Sequence, residues 1–108
     1  MRNIQIIETV SYKSKSGVSD AQFIAAAKGL DAYIDRCGGL ISRSLFKSDD
    51  DVWYEQMIWE TESAYTKANS GFMASQEGQA VIALLDPASL NMGHAQAAFA
   101  RVCAPLMP

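Results

Sequence analysis

Chemically versatile residues are scarce in this chain: it has one histidine, His94, and two isolated cysteines, Cys37 and Cys103. Neither cysteine has a CxxC partner, and a lone histidine gives no zinc-ligand spacing, so no metal is expected. Cys37 falls on the apolar face of a helical pattern and reads as a small hydrophobe. Basic residues are also few: nine Lys and Arg against twelve Asp and Glu, scattered singly, give a net charge of -3. Nucleic acid needs a basic face to displace counterions, and an anionic membrane surface needs one too, so neither is an expected partner. No apolar run approaches the roughly 20 residues that cross a bilayer. The opening MRNIQIIETV is too polar for a signal peptide, which leaves the cytoplasm as the expected compartment. The glycines form no phosphate loop, and no Ser-His-Asp or Cys-His order can be defended.

What remains is an ordinary globular balance, 49% apolar and 19% charged over 108 residues, enough for one domain with its own core. Residues 3 to 13 alternate, with Ile4, Ile6, Val10 and Tyr12 on one side of a strand. Parity places the Glu8 carboxylate on that same apolar side. Ser19 and Gln22 make a capping box, so a helix begins at Asp20 and buries Phe23, Ala27, Leu30, Ile34 and Cys37 until Gly38-Gly39 ends it. The stretch Leu40 to Lys47 carries Ser42, Arg43 and Ser44 in its middle, which predicts an edge strand. Ser48 to Asp51 is a turn without the glycine and closing glutamate of a calcium loop. From Val52 to Glu60, one strand face carries Trp53, Glu55, Met57 and Trp59, and the other Tyr54, Gln56 and Ile58. Thr61 or Ser63 caps a helix holding Tyr65, with a kink at Ser70-Gly71. A second helical piece with Phe72, Met73, Val81, Leu84 and Leu85 then runs to Asp86-Pro87. Residues 89 to 100 read as the last strand, with Leu90, Met92, His94 and Gln96 on one side. The tail RVCAPLMP is apolar enough to pack on something.

The order β-α-β-β-α-β is the ferredoxin-like α+β arrangement: a four-stranded antiparallel sheet with two helices on one face, filling residues 1 to 108 as one domain with its core at about 4 to 99. The uncovered face needs a partner, and the simplest is a second copy, giving a homodimer sheet to sheet.

Candidate site residues cluster where the third strand meets its helix, since apolar pockets with a few polar groups form at such junctions. Trp59 is either core or a platform that stacks an aromatic ligand, with Met57 and Phe72 beside it. Tyr65 is a half-exposed tyrosine or a hydrogen-bond donor to a phenolate. Glu8 and Glu55 on an apolar face must be paired, exposed, or held with a raised pKa. Pairing would be with Arg43 or Lys47; a raised pKa would suit a general base. His94 is a hydrogen-bonded structural residue or a proton exchanger.

These residues carry a resemblance. The chain is similar, over about residues 4 to 99, to the dimeric α/β-barrel superfamily and within it to the antibiotic-biosynthesis-monooxygenase group. The strand-and-turn phrase Val10 to Gly17 resembles that group's opening, with Ser16 where proline is common. Glu55, Trp59, Glu60, Thr61 and Tyr65 match its central phrase, and Ser70-Gly71-Phe72 its helix restart. The resemblance implies subunits paired through their sheets, a pocket in each between sheet and helices, and oxygenation of phenols or quinols by O2 with no metal or flavin cofactor. Haem-degrading members use Asn, Trp and His, whereas the first strand here has no pocket-facing Asn, with Lys67 near the Trp position and Gln76 or Glu77 where the His would be. Haem degradation is therefore not expected. Polyketide-oxidising members pair a Trp and a Tyr, as Trp59 and Tyr65 do; Glu55 and Gln79 stand where their Asn and Arg would be. The leading expectation is a cofactor-independent monooxygenase acting on an aromatic or quinol-like small molecule, with Trp59, Tyr65, Met57 and Phe72 binding and Glu55, Glu8 or His94 taking the proton. The alternatives are a non-catalytic dimeric module that binds a small hydrophobic ligand, or an isomerase, for which Arg43 would have to supply the cation.

Overall fold

Alternation along residues 6 to 12 makes the central strand on which everything else is registered. The computed structural model describes residues 4–101 and 103. Within them the chain forms β1 (Ile6–Tyr12), α1 (Asp20–Cys37), β2 (Leu40–Lys47), β3 (Trp53–Trp59), α2 (Glu62–Gly71), α3 (Gln76–Ile82) and β4 (Asn91–Gln96). The strands make one antiparallel sheet in the order β2-β3-β1-β4, so β2 is an edge strand, as its broken alternation predicts. This is the expected ferredoxin-like α+β fold.

The helix boundaries follow their capping chemistry. Ser19 Oγ accepts from Gln22 N at 3.1 Å while Gln22 Oε1 accepts from Ser19 N at 3.0 Å, closing the capping box that starts α1. Phe23, Ala27, Leu30 and Ile34 are buried along α1, joined by Tyr33; Cys37 is only half-buried. Gly39 follows the helix at φ +87°, and a Cβ there would stand 2.5 Å from the Ala64 Cβ on α2. Its carbonyl meanwhile accepts from Glu60 N at 2.8 Å, so this glycine is where α2 closes onto the chain leaving α1. Gly39→Ala is accordingly expected to destabilise the fold by about 2–4 kcal/mol through clash plus backbone strain. Gly38→Ala, at φ +78° with open space around it, should cost about 1 kcal/mol. Urea unfolding of the two variants side by side checks this.

The second helical stretch differs from the reading to Asp86. Tyr33 OH donates to the Ala68 carbonyl at 2.6 Å, satisfying one of the last-turn carbonyls of α2, and the helix gives way at Gly71 to a single 3-10 turn, Phe72–Ala74. Ser75 then caps α3 by accepting from Gly78 N at 2.9 Å. Helix α3 stops at Ile82 because the following backbone is drawn to the end of β1: Lys15 N donates to Leu84 O and Asp86 N to Lys13 O, each at 2.8 Å. Arg36 on α1 grips Glu77 on α3 with two hydrogen bonds of 2.8 and 2.9 Å, which turns that carboxylate outward and pulls its pKa down to about 2.

The last strand is also shorter than the expected 89 to 100. Pro87–Ser89 forms a 3-10 turn, and pairing ends at Gln96, where β1 runs out of partners. Every residue of β4 is exposed. At the same end of the sheet Ile4 is 48% exposed and Phe99 83%, so neither joins the core. Asn3 and most of the apolar tail, residues 102 and 104–108, lie outside the described residues.

Helices cover one face of the sheet. The other presents Ile7, Thr9 and Ser11 of β1, Tyr54, Gln56 and Ile58 of β3, Ser42, Ser44 and Phe46 of β2, and Asn91, Gly93 and Ala95 of β4. None of these side chains is charged. Phe46 and Tyr54 stack across the hairpin on this face, 5.5 Å apart with their planes at 11°, and both are exposed.

Candidate functional site

Between the covered face and the helices lies a cavity of about 290 Å³. Its floor is Glu8, Val10, Tyr12, Glu55, Met57 and Trp59 from β1 and β3. Leu30 and Tyr33 of α1, Ala68 and Asn69 of α2, and Phe72 and Met73 of the connecting turn form the roof. Val81 and Leu85 close one end, and Leu90 and Met92 stand at the rim beside β4. The hollow exists because the roof is in pieces: two short helices joined by a turn cannot fill the concave sheet as one continuous rod would.

Two carboxyl groups enter this apolar space from neighbouring strands, and the register sets them diagonally, Glu8 opposite Met57 and Glu55 opposite Val10. Each is 6% exposed, yet their surroundings differ. Glu55 is paired: the Arg43 Nε of β2 donates to its Oε2, and Tyr12 OH to its Oε1 at 3.4 Å. Arg43 Nη1 further donates to the Ala27 carbonyl at 2.7 Å and to Asp31 at 2.9 Å. The guanidinium is thus spent on one buried network, tying β2 and β3 to α1. Burial first, then the Glu55 charge, push the Tyr12 phenol far above its ordinary pKa, so it stays a neutral donor.

Glu8 has no such partner among the described residues. Its Oε1 accepts from Trp59 Nε1 at 3.0 Å. Burial raises its pKa, and the nearby Glu55 adds to that; the Trp59 N–H and the His94 charge oppose the rise without cancelling it. Glu8 is a carboxyl group that keeps its proton above the usual carboxylate range while touching both the cavity and the indole.

The residues named from sequence divide in two. Glu8, Glu55, Met57, Trp59 and Phe72 line the cavity together. Tyr65 and His94 do not line it; they meet each other at its flank, with rings stacked 4.4 Å apart and Tyr65 OH 3.1 Å from His94 Nδ1. Burial, then the Glu8 charge, raise the Tyr65 phenol pKa. Three lining residues with polar groups went unnamed as site residues: Tyr12, Tyr33 and Asn69. Tyr12 shares the parity of Glu8 and Tyr33 stands three residues after Leu30, so both were within reach of the pattern. Asn69, one residue beyond the buried Ala68, had no signal. Among the described residues, no group of three or more His, Cys, Asp or Glu stands together as metal ligands, and no helix is long and apolar enough to cross a membrane.

The architecture has close counterparts among solved structures. SnoaB, a cofactor-independent oxygenase from Streptomyces nogalater, superposes with a TM-score of 0.65 at 18% identity, over 95% of this chain and 99% of its own. A candidate antibiotic biosynthesis monooxygenase from Bordetella bronchiseptica gives 0.73 at 17% identity, over 90% and 100%. A second such candidate, from Chloroflexus aurantiacus, gives 0.61 at 13%, over 91% and 97%. No family model matches the chain, and no curated protein matches its sequence. The fold is that of the antibiotic-biosynthesis-monooxygenase type of domain. At these identities the likeness establishes the shared fold and no more.

Proposed function

We propose that the chain is a member of the antibiotic-biosynthesis-monooxygenase group and a cofactor-independent monooxygenase acting on an electron-rich aromatic or quinol-like small molecule. The observation that carries this reading is Glu8: a buried, unpaired carboxyl group hydrogen-bonded to Trp59 inside an apolar cavity. Such a group, once ionised, is a strong base toward a phenol or an activated ring CH2. Trp59, Met57 and Phe72 supply the apolar walls against which a ring lies. Removing the proton leaves an electron-rich carbanion that reduces O2. For a ring CH2, one oxygen atom becomes the new carbonyl and the other leaves as water; the two hydrogens lost from the ring balance the two in that water, the proton taken by the base being replaced from solvent. The cavity volume suits a ligand of two or three fused rings. No Lys or Arg among the described residues lines it, and Arg43 is held by Glu55 and Asp31, so an isomerase acting on a phosphorylated substrate would lack its cation there.

The test is O2 uptake by the purified protein on a panel of anthrones and quinols. Uptake with at least one substrate is expected, and Trp59→Phe should lower kcat/KM by about tenfold through the lost N–H donor to Glu8. Absence of uptake on the whole panel would move the chain to the reading of a non-catalytic ligand-binding module.

The functional unit in this proposal is a homodimer through the uncovered sheet face. What supports it is the absence of charge across that face and its exposed Phe46–Tyr54 stack. Tyr54→Glu should therefore shift the sedimentation coefficient from a dimer's to a monomer's at micromolar protein. A wild-type chain that already sediments as a monomer would refute the dimer.

A further inference from the structure

A base buried in an apolar cavity must return its proton to water before it can act again, and Glu8 is only 6% exposed. The next rung of the sheet offers a route. Glu8 on β1 stands directly opposite His94 on β4. Facing residues of an antiparallel pair point to the same side of the sheet with their Cβ atoms roughly 5 Å apart. Glu8 looks into the cavity; His94, on the outermost strand, is exposed. Tyr65 of α2 holds the imidazole from above, stacked at 4.4 Å and 3.1 Å from Nδ1, which fixes the ring and leaves Nε2 as the nitrogen to exchange with water. The side chains concerned are few. Beyond Glu8 itself, β1 places no other charge here; Glu55 of β3 is engaged by Arg43; α2 contributes Tyr65; and β4 carries no second titratable group.

We infer that Glu8 and His94 form a proton path across the β1–β4 rung, Glu8 taking the proton inside the cavity and His94 releasing it to solvent, with Tyr65 as the positioning residue for the imidazole. The step moves a proton only: with Nδ1–H donating to the Tyr65 hydroxyl oxygen, the Glu8 carboxyl O–H bond breaks, an Nε2–H bond forms on His94, and that Nε2 proton passes to water or buffer, with no electrons exchanged. His94 lies on the helix-side face of β4, so a second copy docked on the opposite face leaves the outlet open. The source of the proton rests on the monooxygenase reading; the coupling between the two side chains does not.

The two are tested separately. The Trp59 indole N–H, which donates to Glu8, reports the state of the pair in 1H–15N spectra of the full chain, with Trp53→Phe assigning the resonance. In the wild type it should follow the titration of the carboxyl group. In His94→Gln that step should move to higher pH, because a positive neighbour that favours the carboxylate is gone. An unmoved carboxyl step in His94→Gln overturns the path. Should glutamine at position 94 unfold the chain, His94→Phe, which keeps an aromatic ring to stack on Tyr65, serves instead with the same shift of the carboxyl step expected, and an unmoved step overturns the inference. On a substrate that is turned over, His94→Gln should lower kcat about tenfold or more with KM unchanged, and imidazole in the buffer should restore it. Undiminished kcat, or a loss that imidazole does not rescue, also overturns it. If no substrate is oxidised by the wild type, the monooxygenase reading falls and the spectra alone decide the path.

Discussion

Glu8→Gln is expected to lower kcat/KM for O2-dependent oxidation by about 10²–10⁴-fold, the range that a positioned base contributes, while leaving the fold in place. Glutamine has nearly the same shape and keeps an oxygen to accept from Trp59 Nε1, the 3.0 Å bond that orients both side chains. What it cannot do is take a proton. The pH dependence gives an independent check. Burial raises the Glu8 pKa above that of the unfolded chain, so between those two values the folded state binds the extra proton. Stability contributed by the neutral form is fully present below the unfolded pKa and is lost as pH rises through the folded one. Activity should climb over that same interval, because the carboxylate is the working form. In Glu8→Gln both trends should flatten, and the variant should be more stable relative to wild type at pH 8 than at pH 4 in thermal unfolding. A Glu8→Gln enzyme with wild-type rates would remove Glu8 as the base. If Glu55→Gln were the inactive variant instead, the two carboxylates would exchange roles.

Arg43→Met should be the most damaging change to stability outside the apolar core, at about 3–5 kcal/mol. It would leave Glu55, 6% exposed, as a buried charge with only the long Tyr12 contact, and would strip a donor from the Ala27 carbonyl. The cost belongs to the orphaned partner rather than to the ion pair as such, since burying two charges consumes most of what their attraction returns. Arg43→Met combined with Glu55→Leu should therefore recover most of the loss, to within about 1–2 kcal/mol of wild type. Urea denaturation of the two single variants and the double variant measures this. A loss below about 1 kcal/mol for Arg43→Met alone would mean that water screens the pair.

Period-two and period-3.6 patterning made the element order, the edge position of β2 and the two carboxylates on one apolar face readable in advance. Pairing of a carboxylate with Arg43 was foreseeable too, but which one was not. Parity gives Glu8 and Glu55 the same side; only the register, with Arg43 opposite Met57 and Leu45 opposite Glu55, brings the guanidinium to Glu55 and leaves Glu8 alone. The division of the second helical stretch was only half visible. Ser70-Gly71 marked the kink, while the stop at Ile82 comes from backbone bonds to residues 13 and 15, a tertiary competition that no local pattern encodes. The meeting of Tyr65 with His94 joins residues 29 apart in sequence through the sheet order, so it was invisible as well.

The joint at Phe72–Ser75 has a bearing on how such a scaffold can change over time. Its backbone is fastened by Ser75, which caps α3, and by Gly78, where a Cβ would stand 2.2 Å from the Phe72 carbonyl. Its side chains Phe72 and Met73 border the chamber. Exchanges at those two positions would resize the guest space without shifting any strand. Under the proposed function, ligand preference is therefore free to drift at this joint of the roof while the floor, with its acid and its indole, stays as it is.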